Sequence, residues 1–495
     1  MKEIIIIGAG IAGLSAGCYG QMNNYSTTIF EMHNLPGGLC TAWKRKGYNI
    51  DGCIHWLAGS GPEDNFYNIW HELGAVQNRK FIDHEEFLRI EGNNGERLIL
   101  YTDIDRLEAH LLELAPEDKE RIQAFTRAVK AFTKFRMPVD KAPELAGISD
   151  KLRTYYSMLP FMKLFAKYGN QTLANFASGF TNPFLRDHLH LIFDFPDFPL
   201  IAVMTTFAYL HNQCAGFPIG GSLDFSRAIE KRYVELGGKI HYHARVEKIL
   251  IENDRAVGIR LEDGSVHKAD IVISAADGYS TLFTMLGNEY SNEKIRSYYN
   301  DLSIFQPLLQ ISLGINRDFK DEPHATVFPL KQPLEIAGEM RNNIMLRHYC
   351  CDPSLAPSGK SLVTVTFQSN YDYWRNLYEN RDRYTNEKEK IAQDVISELE
   401  RRFERFGEQV EMIDVATPMT YKRYTGNWQG TYEGWLLTPK TMRTRMSKTL
   451  PGLHNFYMAG QWVEPGGGLP TAALSGRNVI QLICKKDRKK FNASR

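Results

Sequence analysis

Near its start the chain carries Ile4 to Ile7, four apolar β-branched residues with no polar position between them. So short and continuous an apolar run predicts a strand buried on both faces. Gly8 ends it, Leu14 to Tyr19 continue with helical character, and STTIFEM predicts a second strand that ends in Glu31. Much later the period changes. Ser222 to Leu236 has the spacing of an amphipathic helix, stopped at Gly237-Gly238. Alternating residues then predict strands turned at END and EDGS, and ADIVISAAD returns to a parallel sheet. Between these regions, residues 104–190 read as helices and include the aromatic-rich YYSMLPFMKLFAKYGNQTLANFASGF. Residues 303–370 hold the β-rich stretches SIFQPLLQISLGI, NNIMLRHY and KSLVTVTFQ, which predict an antiparallel sheet. NEKEKIAQDVISELERRFERF is an amphipathic helix of mixed charge, and a last helix begins near Pro470 behind three glycines.

The 495 residues are too many for one ordinary core, so two closely packed domains are expected. With 59 basic and 58 acidic residues the net charge is +1, which provides no field for nucleic acid. The tail CKKDRKKFNASR is a local exception. It reads as a solvated helix end with a frayed terminus or as a weak contact with an anionic membrane. Seven cysteines without a C-x-x-C pair argue against a disulfide framework and fit a reducing, cytoplasmic compartment. No apolar run reaches the ~18 residues of a membrane span.

The first chemical motif is Gly8-Ala-Gly10-Ile-Ala-Gly13, placed between the predicted strand and helix. This is a dinucleotide fingerprint in its required context. Gly8 makes the turn, Gly10 admits a pyrophosphate, and Gly13 lets helix and strand approach. The helix N-terminus then offers free N–H groups to phosphate. Glu31, 18 residues after Gly13, can accept hydrogen bonds from both ribose hydroxyls and would repel a 2′-phosphate. An FAD- or NAD-like nucleotide is therefore expected. FAD is favoured by the next segment, HNLPGGLCTAWKRKGYNIDGCIHWLAG, where a second glycine pair and a predicted hairpin replace the βα unit of an NAD domain.

Glu31, Pro36-Gly37-Gly38, Gly47-Tyr48, Asp51 and His55 together resemble the motifs of two-dinucleotide-binding-fold flavoproteins of the phytoene desaturase, carotenoid isomerase and retinol saturase group. GCI stands where TGI or AGP is more usual. The resemblance recurs at the helix-and-meander segment Phe217–Asp277, at the turn CCDPSLAPSGK, and at AGQWVEPGGGLPTAALSGR. It implies a discontinuous Rossmann-like α/β domain for FAD, built from residues 1–75, 216–290 and 415–485. Residues 76–215 and 291–414 would form an inserted α+β substrate domain with an antiparallel sheet and a helical lid, and 486–495 a basic tail. The implied cofactor contacts are Gly8, Gly10, Ile11, Ala12 and Gly13 at the pyrophosphate, with Glu31, Gly37 and Gly38 beside them. The backbone of Val246 would meet the adenine. His55, Gly460, Gln461, Gly467, Gly468 and Leu469 would surround the flavin end. Gln461 departs from the family pattern, which places an acid there. The last helix would direct its positive end at the flavin N1/O2 edge. Bound non-covalently, since the motif has no cysteine, FAD would exchange a hydride through N5.

No second G-x-G-x-x-G is present, so NAD(P)H would serve as a transient donor, another carrier would take its place, or the reaction would be redox-neutral. Candidate acid–base groups are His55 and Glu464, each with a purely structural alternative; Tyr424, Trp428 and Tyr432 are candidates to line a substrate tunnel. No catalytic triad and no metal-ligand spacing is found. The expected activity is desaturation, saturation or isomerisation of carbon–carbon double bonds in an apolar polyene, isoprenoid or acyl substrate. The stretch 155–180 reads either as core or as an apolar lid against a membrane. An amine-oxidase-like flavoprotein and a non-catalytic flavin or lipid carrier are the rival readings.

Overall fold

The computed structural model describes residues 1–494. Its central sheet has five strands, all paired in parallel, in the order Phe456–Met458, Ile271–Ser274, Glu3–Ile7, Ser26–Phe30, Lys239–His241. Three distant parts of the chain thus meet in one layer. Ile4 and Ile6 face one side and Ile5 and Ile7 the other, and all four are buried, which explains the unbroken apolar run. Helices Ile11–Met22, Gly221–Glu235 and Leu469–Lys486 cover the first face. The meander Val246–Glu252, Arg255–Leu261, Val266–Lys268 covers the second. It turns at Asn253 and Asp254, both with positive φ.

A second sheet of seven strands forms the other half of the molecule. The order is Val410–Ala416, Leu308–Ile315, Ser361–Gln368, Glu339–His348, Ala325–Ile336, Glu86–Glu91, Arg97–Tyr101. Every pairing is antiparallel except that of Ala325–Ile336 with Glu86–Glu91. Helix Arg381–Arg402 packs on one face through Ile391, Val395 and Leu399. The helices between Ile104 and His211 cluster at the opposite side. The strands Glu86–Glu91 and Arg97–Tyr101 and the helix Leu200–His211 lie outside the stretches in which sequence periodicity predicts elements.

The terminal tail differs from the expected frayed end. Asn492 exchanges two hydrogen bonds with Asn23, N–H to Oδ1 at 2.7 Å and Nδ2–H to carbonyl at 2.7 Å. Phe491 packs on the first core, and Lys489 sits 4.1 Å above the Tyr25 ring. The recurrent turn CCDPSLAPSGK has a structural task. Buried Asp352 accepts the Gly220 N–H at 2.7 Å, while Asp51 accepts both the N–H and hydroxyl of Ser222 at 2.6 Å. Two carboxylates from separate segments thereby bracket the N-terminus of the helix Gly221–Glu235.

Candidate active site

One cavity of about 1370 Å³ lies between the two sheets. A single small-molecule pocket usually occupies roughly 300–1,000 Å³, so the space suits a dinucleotide together with a long second ligand. Three glycine-rich loops form one end. Gly37 donates to the Ala9 carbonyl at 2.8 Å, and Gly10 and Gly37 form a parallel bridge, so the first and second loops lie side by side. The third loop is fixed by the Gly460 N–H on Ser475 Oγ at 2.7 Å.

A Cβ on Gly10 would meet only the Gly37 carbonyl, at 4.0 Å, because this position faces the open cavity. Gly13 differs: a Cβ there would fall 2.0 Å from the Gly8 oxygen. Gly13 is thus a packing residue and does not line the cavity, whereas Gly8, Gly10, Ile11 and Ala12 do. Glu31, at the end of its strand, accepts the Ala9 N–H at 2.6 Å and the His33 N–H at 2.8 Å. Burial raises its carboxyl, against the opposing pull of these N–H donors. Pinned in this way, Glu31 lines the cavity beside the glycines.

Gly37, Gly38, Val246, Gly460, Gln461, Gly467, Gly468 and Leu469 all line the same end. Gly466, Gly467 and Gly468 have φ of +96°, +56° and +83°, a succession that side chains would strain. Gly468 caps helix Leu469–Lys486, and Pro470 lies in its first turn. Together the open cradle at Gly10, the held carboxylate of Glu31 and the helix N-terminus behind the glycine triad fit FAD. Isoleucine and alanine at 11 and 12 begin helix Ile11–Met22, whose N-terminus faces the same space.

His55 lines the cavity, and its Nδ1 lies 3.3 Å from the Tyr349 hydroxyl. Burial, together with the nearby Arg347 charge, holds its ring well below the usual histidine range. This favours the neutral imidazole. Tyr424 and Tyr432 both line the cavity, and Tyr424 packs edge-on against His33 beside Glu31. Two other candidates are corrected. Trp428 does not line the cavity but stacks on Tyr279 at 5.3 Å, and its backbone N–H donates to Asp277 Oδ1 at 2.8 Å. Glu464 is ion-paired to buried Lys448 at 2.6 Å and does not line the cavity.

Sequence reasoning missed Glu433. The residue lines the cavity and packs on the glycine triad: a Cβ on Gly467 would lie 2.5 Å from both the Cβ and the carbonyl oxygen of Glu433. Burial without a compensating partner raises its carboxyl to about 7. The signal was present in TYEGW, an acid inserted between Tyr432 and Gly434 just ahead of the last glycine loop. Its enclosure against the glycine triad comes from a later segment and is not visible locally.

Beyond the glycines the cavity becomes an apolar gallery that includes Trp56, Phe87, Phe193, Phe198 and Phe367. It extends to Thr154, Met158 and Phe165 on the helices Ile148–Met158 and Met162–Tyr168.

The chain is similar to known proteins along almost its whole length. The chain is 25% identical over 497 residues to the chloroplastic prolycopene isomerase of Daucus carota, covering 96% of this chain and 78% of that one. It is 24% identical over 527 residues to a lycopene-forming phytoene desaturase of Pseudescherichia vulneris, covering 98% and 99%. An oxidoreductase structure from Methanosarcina mazei shares the fold with a TM-score of 0.59 at 17% identity, covering 97% of this chain and 100% of that one. The model of the flavin containing amine oxidoreductases matches residues 11–484, and the chain belongs to that family.

Proposed function

We propose that the protein is an FAD-dependent oxidoreductase that acts on carbon–carbon double bonds of a long apolar substrate, a polyene, isoprenoid or unsaturated acyl chain. The carrying observation is the single cavity, in which a glycine-rich dinucleotide cradle opens directly into an aromatic and aliphatic gallery. Similarity over nearly the full length to proteins named as a prolycopene isomerase and a phytoene desaturase supports the substrate class.

Bound FAD supplies hydride exchange at its N5. The chain's own residues contribute position and environment. Gly8, Gly10 and Glu31 bind the nucleotide part, while Gly467, Gly468 and the N-terminus of Leu469–Lys486 favour negative charge at the flavin end. The aromatic gallery excludes water and orients a flat unsaturated chain. Glu433 is the side chain placed to hold or release a proton at its carboxyl oxygens, near the operating pH. His55 accepts or donates a neutral hydrogen bond and keeps its charge state through the physiological range.

The lid supports delivery from a membrane. No helix among the described residues is long and apolar enough to cross a bilayer. However, helix Ile148–Met158 buries no residue, and Ile148 is 80% exposed and Tyr156 65% exposed. Leu152, Leu159 and Met162 are exposed alongside them, interspersed with exposed Lys151, Arg153, Lys163 and Lys167. An apolar face set among cations matches peripheral binding to an anionic surface, and the same helices line the cavity at Thr154, Met158 and Phe165.

The test is reconstitution with FAD, followed by anaerobic mixing with lycopene isomers, phytoene or polyunsaturated acyl chains and analysis of double-bond number and geometry. A changed bond count or isomer ratio that requires FAD is expected. Unaltered substrates together with bleaching by a diamine would transfer the protein to amine oxidation.

A further inference from the structure

Strand Glu339–His348 forms part of the cavity wall, and from Asn343 onward its alternation assigns its side chains. Ile344 and Leu346 enter the core beneath the sheet, while Arg341, Asn343, Met345 and Arg347 line the cavity. From Arg341 to Arg347 is six residues, roughly 20 Å of wall. The two guanidiniums at its ends are not equivalent. Arg341 is partnered by Glu339 and by the Gln368 carbonyl. Arg347 has no hydrogen bond and no ion pair to any described residue, although it lies deep in the protein.

Its surroundings confirm the missing counter-charge. Arg347 stands between the main cavity and a small adjoining pocket lined by His55, His84, His324 and Asp83. Burial drives all three histidines below their ordinary range, and the Arg347 charge adds to the effect. They are neutral. The Asp83 carboxyl is raised by burial alone, so no cation stabilises it and it does not neutralise Arg347. Tyr349 is a weak acid whose phenol is itself raised by burial, so it supplies no charge at neutral pH. The five donors of the Arg347 guanidinium, set in a planar fork, match a carboxylate. The apolar Trp56 and Phe87 line the same small pocket as Arg347.

We propose that Arg347 is the recognition site for a carboxylate at one end of the substrate, which makes the ligand an unsaturated long-chain acid and not a pure hydrocarbon. This rests on the reading of the cavity as the site of a long unsaturated substrate and narrows its class.

The experiment uses the FAD-reconstituted full chain, with linoleate and methyl linoleate as probes and the perturbation of the flavin absorption band as readout. Linoleate is expected to bind at least about tenfold more tightly than the ester, the difference of one charge-assisted pair. Arg347→Gln should remove that preference while ester binding, flavin retention and flavin potential stay as in the wild type. Arg347→Lys should keep part of it. Equal binding of acid and ester by the wild type would overturn the carboxylate site but leave the unsaturated-chain reading intact. Binding of neither probe would overturn both. A shifted flavin spectrum or potential in Arg347→Gln would instead assign the arginine to the cofactor and overturn the proposal. Acetate competing as tightly as linoleate would overturn it too, by showing a site for free anions.

Discussion

At the scale of single residues, chemistry in this protein is set by what burial does to a few ionisable groups. Glu433 and His55 share one cavity, yet burial moves them in opposite directions, the carboxyl up to about 7 and the imidazole well below its usual range. Only Glu433 therefore changes charge near neutrality. We predict an inflection near pH 7 in the rate of the chemical step, which Glu433→Gln removes and His55→Gln leaves in place; stopped-flow rates across pH 5.5–8.5 decide this. The same shift acts on stability. A carboxyl that binds its proton more tightly when folded makes the folded state lose stability as pH rises from its unfolded value of roughly 4.5 to about 7. Glu433→Gln should flatten that part of the wild-type curve, seen in denaturation midpoints of the apoprotein. Glu31 is a separate case: Glu31→Ala should weaken FAD binding by roughly 10- to 100-fold, the value of a charge-assisted hydrogen bond, without moving the flavin potential, as titration of the apoprotein with FAD would show. The glycines and Glu31 were legible in the sequence because nucleotide binding uses neighbours along the chain. Arg347 was not, because its pocket joins segments hundreds of residues apart, and Glu433 was not, because the glycine triad it packs on belongs to a later segment.

At the scale of elements, the cradle depends on close approach between helices. Gly13 permits helix Ile11–Met22 to sit on Gly8, and Gly476 permits the last helix to sit on the first. A Cβ at Gly476 would lie 2.3 Å from the Ala12 carbonyl oxygen and 2.8 Å from Ala16 N. Gly476→Val should cost about 1–3 kcal/mol by overpacking and should also weaken FAD binding, because it separates the two loops that grip opposite ends of the cofactor. Paired measurement of unfolding and of FAD affinity tests both parts; a loss of stability with unchanged FAD affinity would uncouple the loops. The strand–helix–strand start and the meander were readable because their hydrogen bonds are local. The strands EFLRIE and RLILY escaped notice because charged residues interrupt their apolar pattern, and because the neighbour of the first is Ala325–Ile336, far along the chain.

For the whole molecule, the path from surface to flavin end is fastened at defined points. Arg477 donates to the Val139 and Asp140 carbonyls at 3.0 and 2.9 Å, which ties the base of the lid to the last helix. Lys448 links Glu144, also at that base, with Glu464 beside the glycine triad, at 3.1 and 2.6 Å. Glu464 is thus a connector between lid and cofactor loop. If the lid rests on a membrane, Leu152→Asp with Tyr156→Asp should reduce sedimentation with anionic vesicles several-fold while FAD content is unchanged. Equal sedimentation would leave the lid as a soluble gate. The central claim is that one cavity holds FAD and a long unsaturated chain in reacting contact. The most direct measurement is anaerobic single-turnover spectroscopy of the reconstituted protein, following the flavin band and the polyene band together. The account predicts that both bands change with a common rate constant when the polyene is added. A flavin band indifferent to every polyene and unsaturated acid, but bleached by an amine, would contradict it.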